Sequence, residues 1–586
     1  MTTTLRRLAP LLAPLLLLAC GGSGASGTDA TLSDHAQIDA LGDGAAPDPD
    51  GVAKPDGGPD AIPDAHVDAP ADALSDRGPA DAPAEADAQP PDADETAPVE
   101  VSSDAKPEAT SPDTSVPSDA SDADTPPTDA APETVPDAIV DPGADTSAPP
   151  APLFDLGAIR DPSTAACTFT NHRTAIKNAT ILDLWDVSYQ SWQAVDGTLQ
   201  PITIRGFLAR PLGSGTLPGL VQAHGLGGCA DEDNATGPAS LLGMVTLAYT
   251  GPGGGAGVEG CAVSEGTPAG ADSGMALFDV LPDARASWFW GHPVAAMRGI
   301  TCLQQRTDVD PDRIGMTGFS AGGVATLVVA GADDRLKAGV PLSACGRWDM
   351  AVQSPDAWQH GLLQMAGLTT ASPEWTGLLS VLDPALVASA GKTPLLLVDG
   401  TSDEFFPLSA LVPTLAGLTG AETRLSLVGN FDHGCYALSG VEDAGTIESR
   451  ATLHAEGAQR LWLRHWLTTD PRFAYVPATP VLQVQPQAGG ILATALVDAG
   501  GSSLDVESVT LWWSLDDAFL WGHNDLQEDG GVWWALLPVA PAANLVTFVD
   551  VQYKTAGLPV ARFTLSSVPA LPTGFVPHIR AQTTCL

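Results

Sequence analysis

Gly318-Phe319-Ser320-Ala321-Gly322 places a serine between two glycines, at the junction of a predicted strand and a predicted helix. The strand is the short run 313–317, and the helix is the apolar run 324–330. Such a turn forces the serine into a strained backbone conformation with its hydroxyl raised above the sheet, and side chains in place of the glycines would clash. Ser320 is therefore our first candidate for a nucleophile, although so short a pattern also arises by chance, so its surroundings must agree.

The segments around this turn alternate between strand-like and helix-like patterns from residue 151 to residue 470. One alternating run and several short apolar runs predict strands at 201–209, 220–223, 244–248, 338–342, 394–398 and 424–428. Helical periodicity predicts helices at 293–304 and 449–467. This alternation is typical of an α/β domain with an open, mostly parallel central sheet.

After residue 470 the helical periodicity ends, and residues 471–586 are rich in Val, Thr, Gly and Trp. The runs 508–514, 532–537 and 546–553 predict strands separated by turns, which favours a second domain, a β-sandwich. The paired tryptophans of two of these strands could bind carbohydrate. Neighbouring side chains on a strand alternate between its two faces, so we expect half of these tryptophans to lie in the core.

A serine nucleophile needs a base that accepts its proton and an acid that orients the base. In an α/β sheet with this turn, the acid and then the His follow the serine along the chain, on loops after later strands. Asp403 lies in the loop after the predicted strand 394–398, and His433 lies in the loop after the next strand. A lone loop Asp or His is more often a turn former or a surface residue, but these positions favour Ser320, Asp403 and His433 as the catalytic residues. The alternative acids are Asp399, Glu404 and Asp432.

Small residues follow the predicted strand 220–223, in the segment His224-Gly225-Leu226-Gly227-Gly228. Such residues let backbone N–H groups approach a substrate oxygen closely. We predict that the N–H groups of Ala321 and of Leu226, or else Gly225, form an oxyanion hole; the alternative is a plain Gly-rich turn. His224 precedes the nucleophile in the chain, so we do not expect it to be the base.

Residues 1–19 have the pattern of an export signal, with two arginines before an apolar core that is too short to span a bilayer. The segment ends in Leu17-Leu18-Ala19-Cys20, which resembles the lipobox of bacterial lipoproteins. The resemblance implies that Cys20 becomes a lipidated N-terminus and holds the exported protein in the bacterial cell envelope, at the outer membrane or cell surface. We expect no other contact with the membrane.

Residues 20–150 are predicted to be a disordered tether. From Gly21 to Pro150 the chain has 30 acidic residues, 3 basic residues and no Phe, Trp or Tyr, so this segment buries too little apolar surface to fold. Residues 151–586 carry a net charge of −20. A surface that acidic argues against binding to nucleic acid, which requires a basic patch.

Seven cysteines follow Cys20, and export would permit disulfides between them. Two candidate pairs are Cys229 with Cys261 and Cys167 with Cys585, and the odd number leaves at least one thiol free. No Cys or His spacing matches a structural zinc site. We expect neither a metal ion nor an organic cofactor.

Residues 151–470 resemble an α/β-hydrolase of the acetylxylan esterase and prolyl oligopeptidase-like group. The segment Val309-Asp310-Pro311-Asp312-Arg313-Ile314-Gly315-Met316-Thr317-Gly318-Phe319-Ser320-Ala321-Gly322-Gly323 is similar to the elbow region of that group, and Asp333-Asp334-Arg335-Leu336-Lys337-Ala338 is similar to the segment after it. The resemblance implies an α/β-hydrolase fold and a serine hydrolase that cleaves small-molecule or polysaccharide-linked carboxylic esters. Acetylxylan esterases typically have Tyr at the position of Leu226, so an acetyl-sugar preference is not implied.

Two other functions stay open at this point. One is a serine peptidase of the same group, and the other is a non-catalytic surface protein that uses a hydrolase scaffold for binding.

Overall fold

The computed structural model describes residues 153–578, apart from 214, 270–273, 356, 435–441, 502–503 and 556–560. The predicted export signal, the lipidation site Cys20 and the acidic tether lie outside the described residues. Across the described ranges, no helix is both long enough and apolar enough to cross a bilayer.

The main architectural element of the described chain is a nine-stranded sheet. Its strands are β1 (Thr168–Lys177), β2 (Thr180–Val195), β3 (Thr198–Pro211), β4 (Leu217–Ala223), β5 (Val245–Tyr249), β6 (Val309–Phe319), β7 (Leu336–Leu342), β8 (Leu395–Gly400) and β9 (Thr423–Val428). Their order across the sheet is β1-β2-β3-β5-β4-β6-β7-β8-β9. The six strands from β4 to β9 pair with one another in parallel. The pairs β1–β2, β2–β3 and β3–β5 are antiparallel. This confirms the predicted mostly parallel sheet of an α/β-hydrolase fold.

Helices cover both faces of the sheet, which is why the central strands are composed mainly of apolar residues. The helices are α1 (Leu156–Arg160), α2 (Pro162–Ala165), α3 (Glu232–Leu242), α4 (Gly274–Phe278), α5 (Trp288–Gln304), α6 (Ala321–Ala332), α7 (Trp348–Ala351), α8 (Trp358–Met365), α9 (Pro373–Val381), α10 (Pro384–Ser389), α11 (Leu408–Gly417) and α12 (Ala444–Leu467). One layer contains α3 and α12, and the other contains α5 and α6. Every residue of β5 and β8 is buried between these layers.

The described C-terminal region forms two four-stranded antiparallel sheets. Their strands are β10 (Val481–Gln487), β11 (Gly490–Leu496), β12 (Leu504–Ser514), β13 (Gly522–Asp525), β14 (Gln527–Asp529), β15 (Val532–Leu537), β16 (Val546–Thr555) and β17 (Arg562–Ser566). The strand orders are β10-β11-β15-β14 and β13-β12-β16-β17. These are the predicted additional β sheets.

The second of these sheets packs directly against the α/β region. Strand β17 lies against helix α12 and strand β9. Trp512, Trp521 and Phe548 belong to the same hydrophobic core as the strands and helices of the α/β region. The C-terminal sheets therefore share a core with that region, and a domain boundary after residue 470 stays a prediction.

Two disulfides join described residues, and they confirm one of the two candidate pairs. Cys229 bonds to Cys261, as expected, but Cys167 bonds to Cys302. The proposed pairing of Cys167 with Cys585 is wrong, because β1 starts beside the C-terminal end of α5 and brings Cys167 next to Cys302 instead. Cys345 is a buried free thiol.

Candidate active site

Ser320 occupies the turn between β6 and α6 in the conformation that the sequence predicts. Its φ of +58° and ψ of −120° lie outside the ordinary regions for a non-glycine residue. A Cβ at Gly318 would lie 2.6 Å from the carbonyl carbon of Gly322, and a Cβ at Gly322 would lie 2.4 Å from the carbonyl oxygen of Ala223. The two glycines are therefore required because backbone passes too close to them for any side chain.

The structure brings the three predicted catalytic residues together. His433 Nε2 lies 2.8 Å from Ser320 Oγ, and His433 Nδ1 lies 2.8 Å from Asp403 Oδ2. The other carboxylate oxygen of Asp403 accepts hydrogen bonds from the backbone N–H groups of Phe405 and Phe406, both at 2.8 Å. The acid is thus fixed from one side by backbone and directs its second oxygen at the imidazole.

The two loops converge because β8 and β9 are parallel neighbours that end at the same edge of the sheet. Asp403 follows β8 and His433 follows β9, so their loops leave the sheet side by side. Asp403 keeps only 2% of its surface exposed, whereas Ser320 and His433 each keep about 8%. The small exposed area at the serine and the imidazole is where a substrate could reach them.

Charge around His433 favours its protonated form. Burial by itself would lower the pKa of His433, but the charge and hydrogen bond of Asp403, with further contributions from Glu404 and Asp432, raise it above its ordinary value. Burial would raise the pKa of Asp403, but the interaction with His433 outweighs it and holds that pKa below the ordinary value. An imidazolium formed at this position is thus stabilised by its surroundings.

The alternative acids lie close by, and the carboxylate that lies at hydrogen-bonding distance from His433 Nδ1 is that of Asp403. Burial and the nearby charge of Asp403 raise the pKa of Asp399 well above its usual range, which disfavours its charged form. Glu404 accepts a hydrogen bond from the backbone N–H of His433 at 3.2 Å. Burial, with the charge of Asp403 as the next cause, raises the pKa of Glu404 to about 7. Asp403 is therefore the carboxylate whose geometry suits an orienting acid.

Aromatic rings enclose the imidazole. The ring of Phe405 stacks on His433 with 4.0 Å between centroids, and the rings of Phe319 and Phe406 lie at 5.0 and 5.5 Å. Trp358 in turn contacts Phe405 at 4.5 Å. These rings restrict the orientation of His433 and keep water from its faces, which strengthens the bond to Asp403.

The two predicted oxyanion donors flank the serine. Ala321 is the first residue of α6, where N–H groups have no partner within the helix, and the Ser320 side chain does not cap that helix. A Cβ on Gly225 would lie 3.4 Å from Ser320 Cβ, so the loop that carries Leu226 runs directly beside the nucleophile. Both residues thus lie beside the nucleophile, and their roles as oxyanion donors stay a prediction.

His224 has a role in this loop that the sequence did not reveal. Its Nδ1 lies 2.6 Å from the carbonyl oxygen of Gly225, and its Nε2 accepts a hydrogen bond from the N–H of Gly251 at 2.8 Å. Burial lowers the pKa of His224 to about 4, so the neutral ring donates from Nδ1 and accepts at Nε2. Because the N–H of a trans peptide points opposite to its C=O, a fixed Gly225 carbonyl also fixes the N–H of Leu226.

No described group of three or more His, Cys, Asp or Glu side chains is arranged to hold a metal ion. Of the predicted site residues, Cys20 lies outside the described residues. The others, Ser320, Asp403, His433, Leu226 and Ala321, all lie at one edge of the sheet.

The fold and this constellation define a serine hydrolase of the α/β-hydrolase fold. Residues 296–441 match the prolyl oligopeptidase family, Peptidase_S9. The matched segment contains the elbow, the acid loop and the base loop. A comparison with curated proteins found no match.

Several solved structures are similar to this chain. An acetyl xylan esterase from Paenibacillus sp. R4 is 22% identical, with 47% of this chain and 86% of that chain covered and a TM-score of 0.39. Acetyl xylan esterase 1 from Thermoanaerobacterium sp. JW/SL YS485 is 16% identical, with 49% and 86% covered and a TM-score of 0.37. The acylaminoacyl peptidase of Pyrococcus horikoshii is 14% identical, with 51% and 57% covered and a TM-score of 0.34.

Proposed function

We propose that this protein hydrolyses carboxylic esters with Ser320 as nucleophile, His433 as general base and Asp403 as orienting acid. The observation that carries the proposal is the pair of 2.8 Å contacts that links Ser320 Oγ to His433 and His433 to Asp403. A serine hydroxyl is a weak nucleophile unless an adjacent base takes its proton, and this geometry provides the base.

In the first half of the reaction, Ser320 Oγ attacks the carbonyl carbon of the ester while His433 Nε2 takes the hydroxyl proton. The negative charge that develops on the substrate oxygen is stabilised by the N–H groups of Ala321 and Leu226. His433 then gives the proton to the departing alcohol, which leaves an acyl group on Ser320. Water, activated by the same imidazole, releases the acid and restores the serine.

Hydrolysis of an ester requires less help from the catalytic residues than hydrolysis of an amide does. A departing amine must be protonated as the bond breaks, and a peptide must also be held in one extended geometry, whereas an alcohol leaves more readily. We propose small-molecule or polysaccharide-linked esters as substrates, with no metal or cofactor taking part.

The direct test is hydrolysis of p-nitrophenyl esters together with labelling by a fluorophosphonate probe. We expect Ser320→Ala to abolish both, and the matched variant Ser402→Ala, a loop serine that does not contact His433, to leave both unchanged. No labelling of the intact protein, or equal labelling of the Ser320→Ala variant, would overturn the proposal and favour a non-catalytic binding protein. A panel of esters of increasing acyl length would identify the acyl group.

The rival peptidase function predicts a different outcome. Peptide anilides tested beside esters with matching acyl groups would be cleaved with comparable kcat/KM by a peptidase, and we expect the esters to be strongly preferred. Residues 296–441 match a peptidase family, so this comparison is the one that decides the substrate class.

We also propose that the protein is exported and anchored in the bacterial cell envelope through lipid on Cys20. Two disulfides between described residues support an oxidising compartment. Radiolabelled fatty acid should be incorporated into the native protein and not into a Cys20→Ser variant, which we expect in the soluble fraction. A native protein without label that fractionates as soluble would refute lipid anchoring.

A further inference from the structure

The loop that carries His433 rests on the C-terminal β sheets. Gly429 opens this loop, and a Cβ on it would lie 2.4 Å from the ring of Trp512 on β12. Arg450 of α12 donates a hydrogen bond to the carbonyl oxygen of Gly429 at 2.8 Å while its guanidinium lies 4.7 Å from the centre of the Trp512 ring. The start of the base loop is thus sandwiched between a helix of the α/β region and an indole of the sheets.

The next residue, Asn430, makes a denser set of contacts. Its side-chain oxygen accepts from the backbone N–H of Trp521 at 3.0 Å, and its amide donates to the carbonyl oxygen of the same residue at 2.9 Å. The amide also donates to Glu442 at 3.0 Å, and the backbone N–H donates to Thr401 Oγ1 in the acid loop at 2.9 Å. One side chain therefore ties the base loop to the C-terminal sheets and to the segment that leads into α12.

The backbone of Asn430 supports a specific role at this place. Its φ is +56°, a left-handed conformation that Asn tolerates better than most residues, and only 1% of its surface is exposed. Asn430 lies three residues before His433. A residue that sets the loop's direction so close to the imidazole also sets where the imidazole lies.

We propose that Asn430, clamped by the backbone of Trp521, is a positioning residue for His433, so that the C-terminal β sheets form part of the active site's support. This inference rests on the proposed ester hydrolysis. The sheets then affect the rate of the reaction by supporting the position of His433, whether or not their surface also binds carbohydrate.

Loss of the hydrogen bonds between Asn430 and Trp521 should change kcat and the pH–rate profile. His433 would sit less often at 2.8 Å from both Ser320 Oγ and Asp403 Oδ2, and misplacement of about 1 Å costs about 100-fold in rate. The groups that face His433 are the carboxylates of Asp403, Glu404 and Asp432. A longer bond to Asp403 would lessen the rise in the pKa of His433, so the acid side of the pH–rate profile would move to lower pH.

The test compares Asn430→Gly with the intact full-length chain. Glycine adopts the left-handed conformation freely, so this variant removes the side-chain clamp without adding backbone strain. We expect kcat for p-nitrophenyl acetate to fall about 10- to 100-fold, with KM within about twofold, and the acid side of the profile to move to lower pH. Asn430→Asp keeps the acceptor for the Trp521 N–H, but it sets a carboxylate oxygen against Glu442 and the Trp521 carbonyl oxygen, so kcat should fall at least as far as in Asn430→Gly.

The matched control is Asn524→Gly on β13. Asn524 accepts a hydrogen bond from the Trp513 indole at 2.9 Å in the same sheet but does not touch the base loop. This variant should lower the melting temperature and leave kcat and the pH profile unchanged.

Three results decide the inference. If Asn430→Gly and Asn430→Asp, both folded, keep kcat within about twofold and an unchanged pH profile, Asn430 is not a positioning residue. If Asn524→Gly lowers kcat as much as Asn430→Gly does, general loss of sheet stability explains the effect and the clamp is refuted. If the intact protein shows no esterase activity and no fluorophosphonate labelling, the proposed function itself has failed, which is a separate outcome.

Discussion

Asp403→Asn is the substitution whose effect the geometry defines most closely. The Oδ1 of Asp403 accepts two backbone N–H groups at 2.8 Å, so the oxygen of an asparagine must take that position and its NH2 must face His433. An NH2 group donates, so His433 Nδ1 has to accept and the ring proton moves to Nε2. His433 would then donate to Ser320 Oγ instead of taking its proton.

The expected loss follows from that wrong tautomer. Loss of the correct tautomer in a Ser-His-Asp site costs about 10⁴ in kcat. This is equivalent to about 5.4 kcal/mol of transition-state stabilisation. Shape and backbone hydrogen bonds are kept, so the melting temperature should change little.

The assay is p-nitrophenyl acetate hydrolysis, with Ser320→Ala setting the background rate and Asp399→Asn as the matched control. Burial and the charge of Asp403 raise the pKa of Asp399 well above its ordinary value and so disfavour a charge there; replacing it by a neutral amide should therefore cost far less than replacing Asp403. The reasoning is refuted if Asp403→Asn keeps more than about a tenth of the kcat of the intact protein. In that case a neighbouring carboxylate performs the orienting role.

Three further predictions concern charge, packing and covalent links. Glu404→Gln keeps an acceptor for the backbone N–H of His433 but removes the negative charge that Glu404 carries above its pKa of about 7 and that raises the pKa of His433; neutral His433 is the active form, so the acid side of the pH–rate profile should move only slightly to lower pH. Gly318→Ala should destabilise the fold by about 1–3 kcal/mol in urea unfolding and reduce fluorophosphonate labelling, because the new Cβ meets backbone. Replacing Cys167 and Cys302 together by serine should lower the free energy of unfolding by about 4 kcal/mol, since that disulfide closes a loop of 135 residues, and an unchanged urea midpoint would contradict this.

The strands and helices near Ser320 were predictable because their signals are local. The buried strands predicted at 220–223 and 394–398 are mainly apolar, and the structure confirms both: β4 begins three residues earlier, and β8 begins one residue later and ends two residues later. Helix α5 begins at Trp288 instead of at 293. The helix begins five residues earlier than predicted because the side chain of Ser287 caps it by accepting a hydrogen bond from the N–H of Phe289.

Contacts between residues that lie far apart in the chain were harder to predict from the sequence. Cys167 bonds to Cys302 across 135 residues, and nothing in the spacing distinguishes that pair from others. The strands β1 and β2 were also missed, because they form an antiparallel addition at the sheet edge, where polar residues break the apolar pattern of the central strands.

The order of Ser320, Asp403 and His433 was predictable for a topological reason, whereas the support of His433 was not. Parallel strands end at one sheet edge, so chain order alone places the two loops together. Asn430 and Trp521 lie 91 residues apart, one in the α/β region and one in the β-sheet region. The residue pattern of each region predicts its own strands and helices but not a contact between the two regions. The alternation rule did predict that paired tryptophans divide between core and surface, and Trp512 is indeed buried. It could not show that the buried indole lies beneath the base loop, and that position is what would make a β-sheet region part of a hydrolase site.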